Sequence, residues 1–188
     1  AANKTRKTVY ALKRYSHFQQ EELAERLDVR DSLEVILTLY HNQLKHGVEV
    51  IRHYEEHTPH ILGFSDELGQ VWTNIIHNAA QAMQFQGVLE VSLSHTDTEV
   101  LVSITDNGPG IPQDVLPRIF EPFFTTKPQG EGTGLGLDIC RKIVEKHEGH
   151  IAVTSQPGQT CFTITLPMEG PTLLKQIHDR NASESAEH

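Results

Sequence analysis

GTGLGLDICRKIVEKHEGHI, residues 132–151, joins three alternating glycines to a run of helix-forming residues. Its apolar positions recur at helical spacing and the pattern stops at Gly149, so the stretch predicts a helix that opens within the glycines. Unpaired N–H groups at the start of a helix attract phosphate oxygens, and glycines let the backbone approach them closely. A flexible loop that enters a helix would use the same residues, so phosphate binding stays open at this point. The glycines are Gly132, Gly134 and Gly136, and the apolar positions are Ile139, Cys140, Ile143 and Val144.

Two common phosphate-binding motifs are excluded by the surroundings of this stretch. No Gly-Lys-Ser/Thr follows the glycines, so the stretch is not a Walker loop. A long proline-rich loop from Pro112 to Glu131, with one short helical turn, precedes it where a dinucleotide-binding fold would need a strand.

The sequence before and after this stretch alternates between helical and strand periods. A first helix is expected from Asp31 to Leu44, with Asp31 and Glu34 as a capping box, and a second helix is expected to begin near Ser65. This order predicts a two-layer α/β sandwich with helices on one face of a sheet. The buried stripe of the second helix is predicted to be Leu68, Val71, Trp72, Ile75, Ala79 and Met83. The predicted strands are Val48–Tyr54, Val88–Leu93, Val100–Ile104, Ile151–Thr154 and Thr160–Leu166, of which the second and third form a hairpin through His95–Glu99.

Two flanking segments surround the predicted body, residues 28–168. Helix formers from Thr8 to Leu27 predict a helical lead within residues 1–27. The polar tail, residues 169–188, is expected to fray.

The charge and cysteine content exclude several classes of protein. The 188 residues include 16 Lys+Arg and 25 Asp+Glu, a formal net charge of −9, so we expect no nucleic-acid partner. Cys140 and Cys161 are the two cysteines and form no C-x-x-C pair, which gives neither a disulfide framework nor a zinc site. No apolar run reaches the ~18 residues of a membrane helix, and the first residues lack the apolar stretch of a signal peptide.

Asp106-Asn107-Gly108-Pro109-Gly110 follows a predicted strand directly. A carboxylate at a strand end can accept a hydrogen bond from an exocyclic amine, and glycines make room for a flat base such as adenine. Any tight turn uses the same residue types, so the segment by itself favours a turn.

Asn74 and Asn78 lie four residues apart on the second helix, on one face with His77 and Gln81. A solvated helix face is one interpretation. Asparagine costs a helix about 0.6 kcal/mol relative to alanine, so two aligned amides also indicate a ligand such as magnesium.

Taken together, four motifs in this order resemble the ATP-binding catalytic domain of sensor histidine kinases, relatives of gyrase, mismatch-repair and chaperone ATPases. The resemblance covers about Asp28 to Met168. It implies a Bergerat-type fold of the α/β (α+β) class, a mixed and mostly antiparallel sheet with about three helices on one face. The motifs are Asn74-x-x-x-Asn78-Ala79, Asp106-x-Gly108-x-Gly110, Phe120-Glu121-Pro122-Phe123-Phe124 and Gly132-x-Gly134-x-Gly136.

The resemblance implies ATP and magnesium as cofactors, and a role for each matching residue. Asn78 would hold magnesium, Asn74 would line the phosphate side, and Asp106 would bind the adenine amine. A lid from Phe123 to Glu131 would close over the triphosphate, hinged by glycines that include Gly130. The implied catalytic residues are Asn74, Asn78 and Lys127. The implied nucleotide-binding residues are Asn74, Asn78, Asp106, Gly108, Gly110, Phe123, Phe124, Lys127, Gly132, Thr133, Gly134, Leu135, Gly136, Leu137 and Thr160.

This sequence departs from the commoner family pattern near the phosphates. Gln81 replaces a frequent lysine, while Glu148 and Gln159 replace frequent glycines. Phosphate charge would then rest on a basic residue elsewhere, for which the sequence offers Lys127, Arg141 and Lys142 without deciding among them.

The implied activity is transfer of the γ-phosphoryl group of ATP to a histidine outside this chain, for relay to an aspartate in the receiver domain of a response regulator. Hydrolysing relatives carry a glutamate base where this chain has Asn74, which favours transfer over hydrolysis. The acceptor pattern His-Glu/Asp-x-x-x-Pro is not in the sequence. Residues 1–27 are interpreted as the end of the second helix of a histidine-bearing dimerisation hairpin. A homodimer in the intact protein and a cytoplasmic location follow from the same resemblance.

Two alternatives remain at this point. One is an ATP-gated interaction module without phosphotransfer, and the other is a protein-serine kinase of the same superfamily.

Overall fold

The computed structural model describes residues 24–128 and 132–170, which form a sheet with helices packed on one face. The main sheet has five strands in the order β2-β4-β5-β7-β6, and a separate two-stranded sheet pairs β1 with β3. The helices are α1 (Val29–Leu44), α2 (Ser65–Ala82) and α3 (Gly136–Lys146). The strands are β1 (Glu25–Leu27), β2 (Val48–Tyr54), β3 (Ile61–Gly63), β4 (Gly87–His95), β5 (Glu99–Asp106), β6 (His150–Gln156) and β7 (Gln159–Pro167).

The main sheet is mixed and mostly antiparallel, as the resemblance implied. Only β2 and β4 pair in parallel, while β4–β5, β5–β7 and β6–β7 are antiparallel. Strands β5 and β7 alternate strictly between buried and less buried residues, so one face of the sheet packs against the helices. The predicted α/β sandwich is therefore confirmed.

The core lies between the sheet and α2. All six residues of the predicted stripe of α2 are buried, and Trp72 at its centre is fully buried. Its indole Nε1 donates to Ser32 Oγ at 3.1 Å, which ties α2 to α1. Burial of each large apolar side chain of this kind stabilises the fold by about 1.5–3 kcal/mol.

The predicted N-cap of the first helix, Asp31, is wrong by three residues. Asp28 caps α1, because its Oδ1 accepts from Arg30 N at 2.8 Å and Asp31 N at 3.4 Å. Glu34 does not form a capping box with Asp31. Its carboxylate instead accepts from Arg52 Nε at 2.7 Å, and so bonds α1 to β2.

The predicted helical lead is wrong over its last three residues. Glu25–Leu27 forms β1, which pairs antiparallel with β3, a strand that the sequence patterns did not indicate. Ala24 packs with Leu62 of β3 and with Phe64 in a small apolar cluster. The rest of the predicted lead, and the tail from residue 171, lie outside the described residues.

The long loop between β5 and α3 contains the expected short helical turn, a 3₁₀ helix at Leu116–Arg118. Within the described part of the chain, no helix is long and apolar enough to cross a membrane.

Candidate functional site

Asp106 is the last residue of β5, and its side chain is buried among the helices and strands with 4% of its surface exposed. Its Oδ1 accepts a hydrogen bond from Gly108 N at 2.9 Å. Among the described residues, no hydrogen bond engages Oδ2. Burial raises the pKa of Asp106, and the bond from Gly108 opposes that shift. The site therefore holds a carboxylate with one oxygen left to accept from a ligand.

Thr160, one of the residues that the resemblance implies for nucleotide binding, lies directly opposite Asp106 in the pairing of β5 with β7. Its Oγ1 is 2.8 Å from Ser155 Oγ, and Ser155 Oγ accepts from Ile111 N at 2.7 Å. Ser155 thus ties the turn after Asp106 to β6. Sequence reasoning did not single it out, although it continues the inward alternation of β6 after Ile151 and Val153.

The two glycines after Asp106 are required by close packing. A Cβ at Gly108 would lie 2.7 Å from Asp106 Oδ1. At Gly110, where φ is +83°, a Cβ would lie 2.4 Å from Gln156 O. The segment is thus the tight turn that its composition favoured, and the turn also places the carboxylate.

The predicted amide face of α2 points at two different neighbours. Asn74 Nδ2 donates to Gly136 O at 3.2 Å, which attaches α2 to the first turn of α3. Asn78 Oδ1 accepts from Lys127 Nζ at 3.0 Å, and Gln81 Oε1 accepts from the same ammonium group. Lys127 comes from the lid segment, so the structure brings all three predicted catalytic residues to one side of α2.

His77 lies beside this amide face. Burial lowers its pKa, and the positive charge of Lys127 lowers it further. Its ring packs edge-on against Tyr40 of α1, with the ring centroids 5.9 Å apart. The imidazole is therefore neutral at pH 7 and adds no charge to the site.

The residues present fit both implied cofactors. The ammonium of Lys127 shows that Asn78 Oδ1 accepts a cation, and amide oxygens are ligands for magnesium in proteins. A Cβ at Gly136 would lie 3.7 Å from Asn74 Cγ, which is ordinary contact distance, so no packing within the described residues requires a glycine there. That glycine leaves room at the start of α3, where N–H groups favour phosphate.

Contacts between the two ends of the lid require a glycine at position 134 and leave little room for a side chain at position 132. Gly134 has φ +67°, and a Cβ there would lie 2.3 Å from the Phe123 carbonyl carbon. A Cβ at Gly132 would lie 2.7 Å from Thr125 Oγ1 and 3.2 Å from Lys127 Cδ. The hinge residue Gly130 and its neighbours Gln129 and Glu131 lie outside the described residues.

The remaining predicted lid residues have different surroundings. Phe123 is 70% exposed, whereas Phe124 is partly buried and its ring lies 4.4 Å from the Arg118 guanidinium carbon. Leu135 is buried in the core. Thr133 is exposed, and Leu137 packs against the core while partly exposed.

The three candidate phosphate cations differ in their partners. Arg141 lies 3.0 Å and Lys142 lies 2.9 Å from the carboxylate of Asp138, which is fully buried. Arg141 also pairs with Glu145 at 3.4 Å. Lys127 is bonded to two neutral amides, and no carboxylate among the described residues pairs with it. Burial lowers the pKa of Lys127. Sequence reasoning missed Asp138, because an acidic residue in the first turn of a helix ordinarily faces solvent.

Residues 63–170 match a family model described as histidine kinase-, DNA gyrase B- and HSP90-like ATPase. The match covers more than half of the chain, so the chain belongs to this family.

Within that family, the similar proteins identify it as a sensor histidine kinase ATP-binding catalytic domain. It is 36% identical over 151 residues to sporulation kinase A of Bacillus subtilis (strain 168), an alignment of 79% of this chain and 25% of that protein. It is 47% identical over 111 residues to sensor histidine kinase ZraS of Escherichia coli (strain K12), covering 58% of this chain and 23% of that protein. The solved catalytic domain of histidine kinase ThkA superposes with a TM-score of 0.71 at 27% identity, over 78% of this chain and 98% of that one. The chain spans about a quarter of the length of the first two relatives.

Proposed function

We propose that this domain transfers the γ-phosphoryl group of ATP to a histidine nitrogen on a partner hairpin, for relay to an aspartate of a response-regulator receiver domain. The lone pair of the imidazole nitrogen forms the new P–N bond. The bond from the γ-phosphorus to its bridging oxygen breaks, and ADP leaves with that electron pair.

The observation that carries the proposal is Asn74. A hydrolase needs a general base beside the phosphates, whereas an amide cannot accept a proton at neutral pH. The Asn74 amide also donates to Gly136 O, so it attaches α3 to α2. This supports transfer to a nucleophile brought by another segment over attack by water.

Each proposed binding role is supported by the contacts described above. Asp106 Oδ2 would accept from the adenine amine, with Thr160 beside it. Asn78 would contribute an oxygen to magnesium, which supplies charge neutralisation on the phosphates when bound. Lys127 would neutralise further phosphate charge, since Arg141 and Lys142 are already paired with Asp138. The lid that carries Lys127 would exclude water.

The intact protein would act in the cytoplasm as a homodimer, and residues 1–27 would include the end of its dimerisation hairpin. Curated relatives that extend well beyond this domain support a larger protein of this kind. Those that are named as sensor kinases support a response regulator as the final acceptor.

Labelled ATP mixed with this chain and a separately made acceptor hairpin tests the proposal. Acid-labile, alkali-stable label on the hairpin is the expected result. Acid-stable label would indicate a protein-serine kinase instead. Nucleotide binding with no label on any acceptor would indicate an ATP-gated interaction module.

A further inference from the structure

Two amide oxygens of α2 converge on a single ammonium group from the lid. Asn78 Oδ1 lies 3.0 Å from Lys127 Nζ, and Gln81 Oε1 accepts from the same nitrogen. Asn78 and Gln81 are three residues apart, so their side chains leave the same face of α2. We name this pair of oxygens the amide seat.

Contacts within the lid also hold Lys127 in position. Lys127 N donates to Thr125 Oγ1 at 3.1 Å, which fixes the backbone at the lysine. The aliphatic stem of Lys127 packs against Gly132, where a Cβ would come within 3.2 Å of Lys127 Cδ. The lysine is therefore held at both ends, and its position at the amide seat is more than a chance approach of a surface side chain.

The amide seat leaves the charge of Lys127 uncompensated. Both oxygens belong to neutral amides, and the described residues offer the ammonium no carboxylate. A cation held only by neutral oxygens is poised to move to an anion, because hydrogen bonds to phosphate oxygens are charge-assisted. A basic residue at position 81 would repel Lys127, whereas the amide oxygen of Gln81 accepts from its ammonium group.

We propose that the amide seat is a cation site which Lys127 occupies in the nucleotide-free protein, and that Lys127 leaves it for the phosphates when nucleotide binds, which frees Asn78 Oδ1 for magnesium. The inference rests on the proposed function for the identity of the ligand. It adds Gln81 to the site and makes Lys127 an exchangeable counter-ion. A metal ion and an ammonium group cannot share Asn78 Oδ1, because two cations in contact repel each other.

Measurements on the nucleotide-free protein test the resting contact, which is the contact of Lys127 with the amide seat. Hydrogen–deuterium exchange of the lid peptide ending at Pro128 is compared in the wild type, Lys127→Met, Gln81→Met and Lys45→Met. Lys45 is an exposed lysine at the end of α1 and serves as the matched control. We expect lid exchange to rise roughly threefold to tenfold in both seat variants and to stay unchanged in the control. Unchanged exchange in the seat variants overturns the proposal.

Binding of ATP in the presence of EDTA, which removes magnesium, tests whether Lys127 leaves the amide seat for the phosphates. Lys127→Met should weaken metal-free binding by about tenfold, because it removes the cation that reaches the phosphates. Gln81→Met should instead strengthen this binding severalfold, because Lys127 then has one oxygen partner to leave, Asn78 Oδ1, and not two. A merely structural pair would weaken binding in both variants, and that result overturns the proposal. If the wild type binds no ATP even with magnesium, the proposed function fails, while the exchange experiment still decides the resting contact.

Discussion

The Asp106 carboxylate is a buried charge that the fold itself does not fully satisfy. One oxygen is bonded to Gly108 N, and burial disfavours ionisation. Such a residue contributes little to stability and is suited to a ligand that donates to it.

Asp106→Asn should therefore separate binding from stability. We expect ADP affinity to fall by about tenfold or more, because a hydrogen bond to a charged acceptor contributes about 1.5–3 kcal/mol. The melting temperature should stay the same or rise, since a buried carboxylate is removed. Calorimetry with ADP and thermal unfolding measure the two effects. Asp97→Asn in the exposed turn between β4 and β5 is the control, and equal ADP affinity in Asp106→Asn would contradict the adenine role.

Gly134 and Gly158 offer a matched comparison of two left-handed glycines. Gly134 has φ +67° and no room for a Cβ, whereas Gly158 has φ +86° and nothing within 4 Å of a Cβ. Alanine costs about 1–2 kcal/mol in backbone strain at either site.

Gly134→Ala should in addition push Phe123 away and disturb the lid. We expect nucleotide affinity to fall several-fold in Gly134→Ala and to stay at the wild-type value in Gly158→Ala, although both lose some thermal stability. Fluorescent ADP titration measures the affinities. Similar affinities in the two variants would show that the lid does not need the Phe123 contact.

Among the elements, α3 has a structural role at its C-terminal end as well as a glycine-rich start: it is bonded there to Phe64, the residue between β3 and α2. At its C-terminal end, His147 Nδ1 donates to Ile143 O at 2.7 Å and His147 Nε2 accepts from Phe64 N at 3.1 Å. Both ring nitrogens are used only when the imidazole is neutral. Burial lowers the pKa of His147, the charge of Lys146 lowers it further, and the bond to Ile143 O and the charge of Glu67 oppose the shift.

This histidine predicts a loss of stability in mild acid. The folded-state pKa lies below the ordinary value of about 6.5, so the stabilisation is present above that value and is lost as pH falls through the folded pKa. His147→Gln should lower the free energy of unfolding by about 1–3 kcal/mol at pH 7.5 and flatten its dependence between pH 7 and pH 5. Denaturant unfolding at a series of pH values measures both effects. The exposed His46→Gln is the control, and an unchanged slope in His147→Gln would contradict the assignment.

The elements that sequence patterns predicted are those whose burial is periodic. The stripe of α2 and the β4–β5 hairpin follow from spacing alone, because each has one buried face. β1 and β3 have three residues each, too few for a period to show, and Glu25-Arg26-Leu27 consists of good helix formers. Their pairing depends on contacts between segments far apart in sequence, such as Leu27 with Ile61, which are 34 positions apart.

The site divides in the same way into features that are local in sequence, which could be predicted, and contacts between distant residues, which could not. Asp106, Asn74 and Asn78 were predicted from motifs, because each motif is local in sequence. The bonds from Lys127 to α2 join residues 46 and 49 positions apart, and no periodicity encodes such a pairing. The sequence therefore left three candidate phosphate cations open, and the ion pairs of Arg141 and Lys142 with Asp138 are the reason that our proposal favours Lys127.

At the scale of the whole molecule, β1 belongs to the same folded body as the main sheet, since Leu27 is part of the main core. Leu27→Ala should lower the free energy of unfolding by about 2–4 kcal/mol and keep a single transition. Denaturant unfolding followed by tryptophan fluorescence suits this measurement, because Trp72 is the single tryptophan and lies in the core. Arg26→Ala, exposed on the same strand, is the control. A wild-type midpoint in Leu27→Ala would show that β1 does not contribute to this core.

The pairing of β1 with β3 also sets how force enters the domain. Strand β3 ends at Gly63, and α2 begins at Ser65, so Phe64 alone separates them. A force on the chain before Ala24 would act through the three backbone pairs of β1 with β3 on the N-terminus of α2, the helix whose amides face the lid. Three backbone pairs and the single residue Phe64 thus connect the entrance of the domain to α2, with no loop between β3 and the helix.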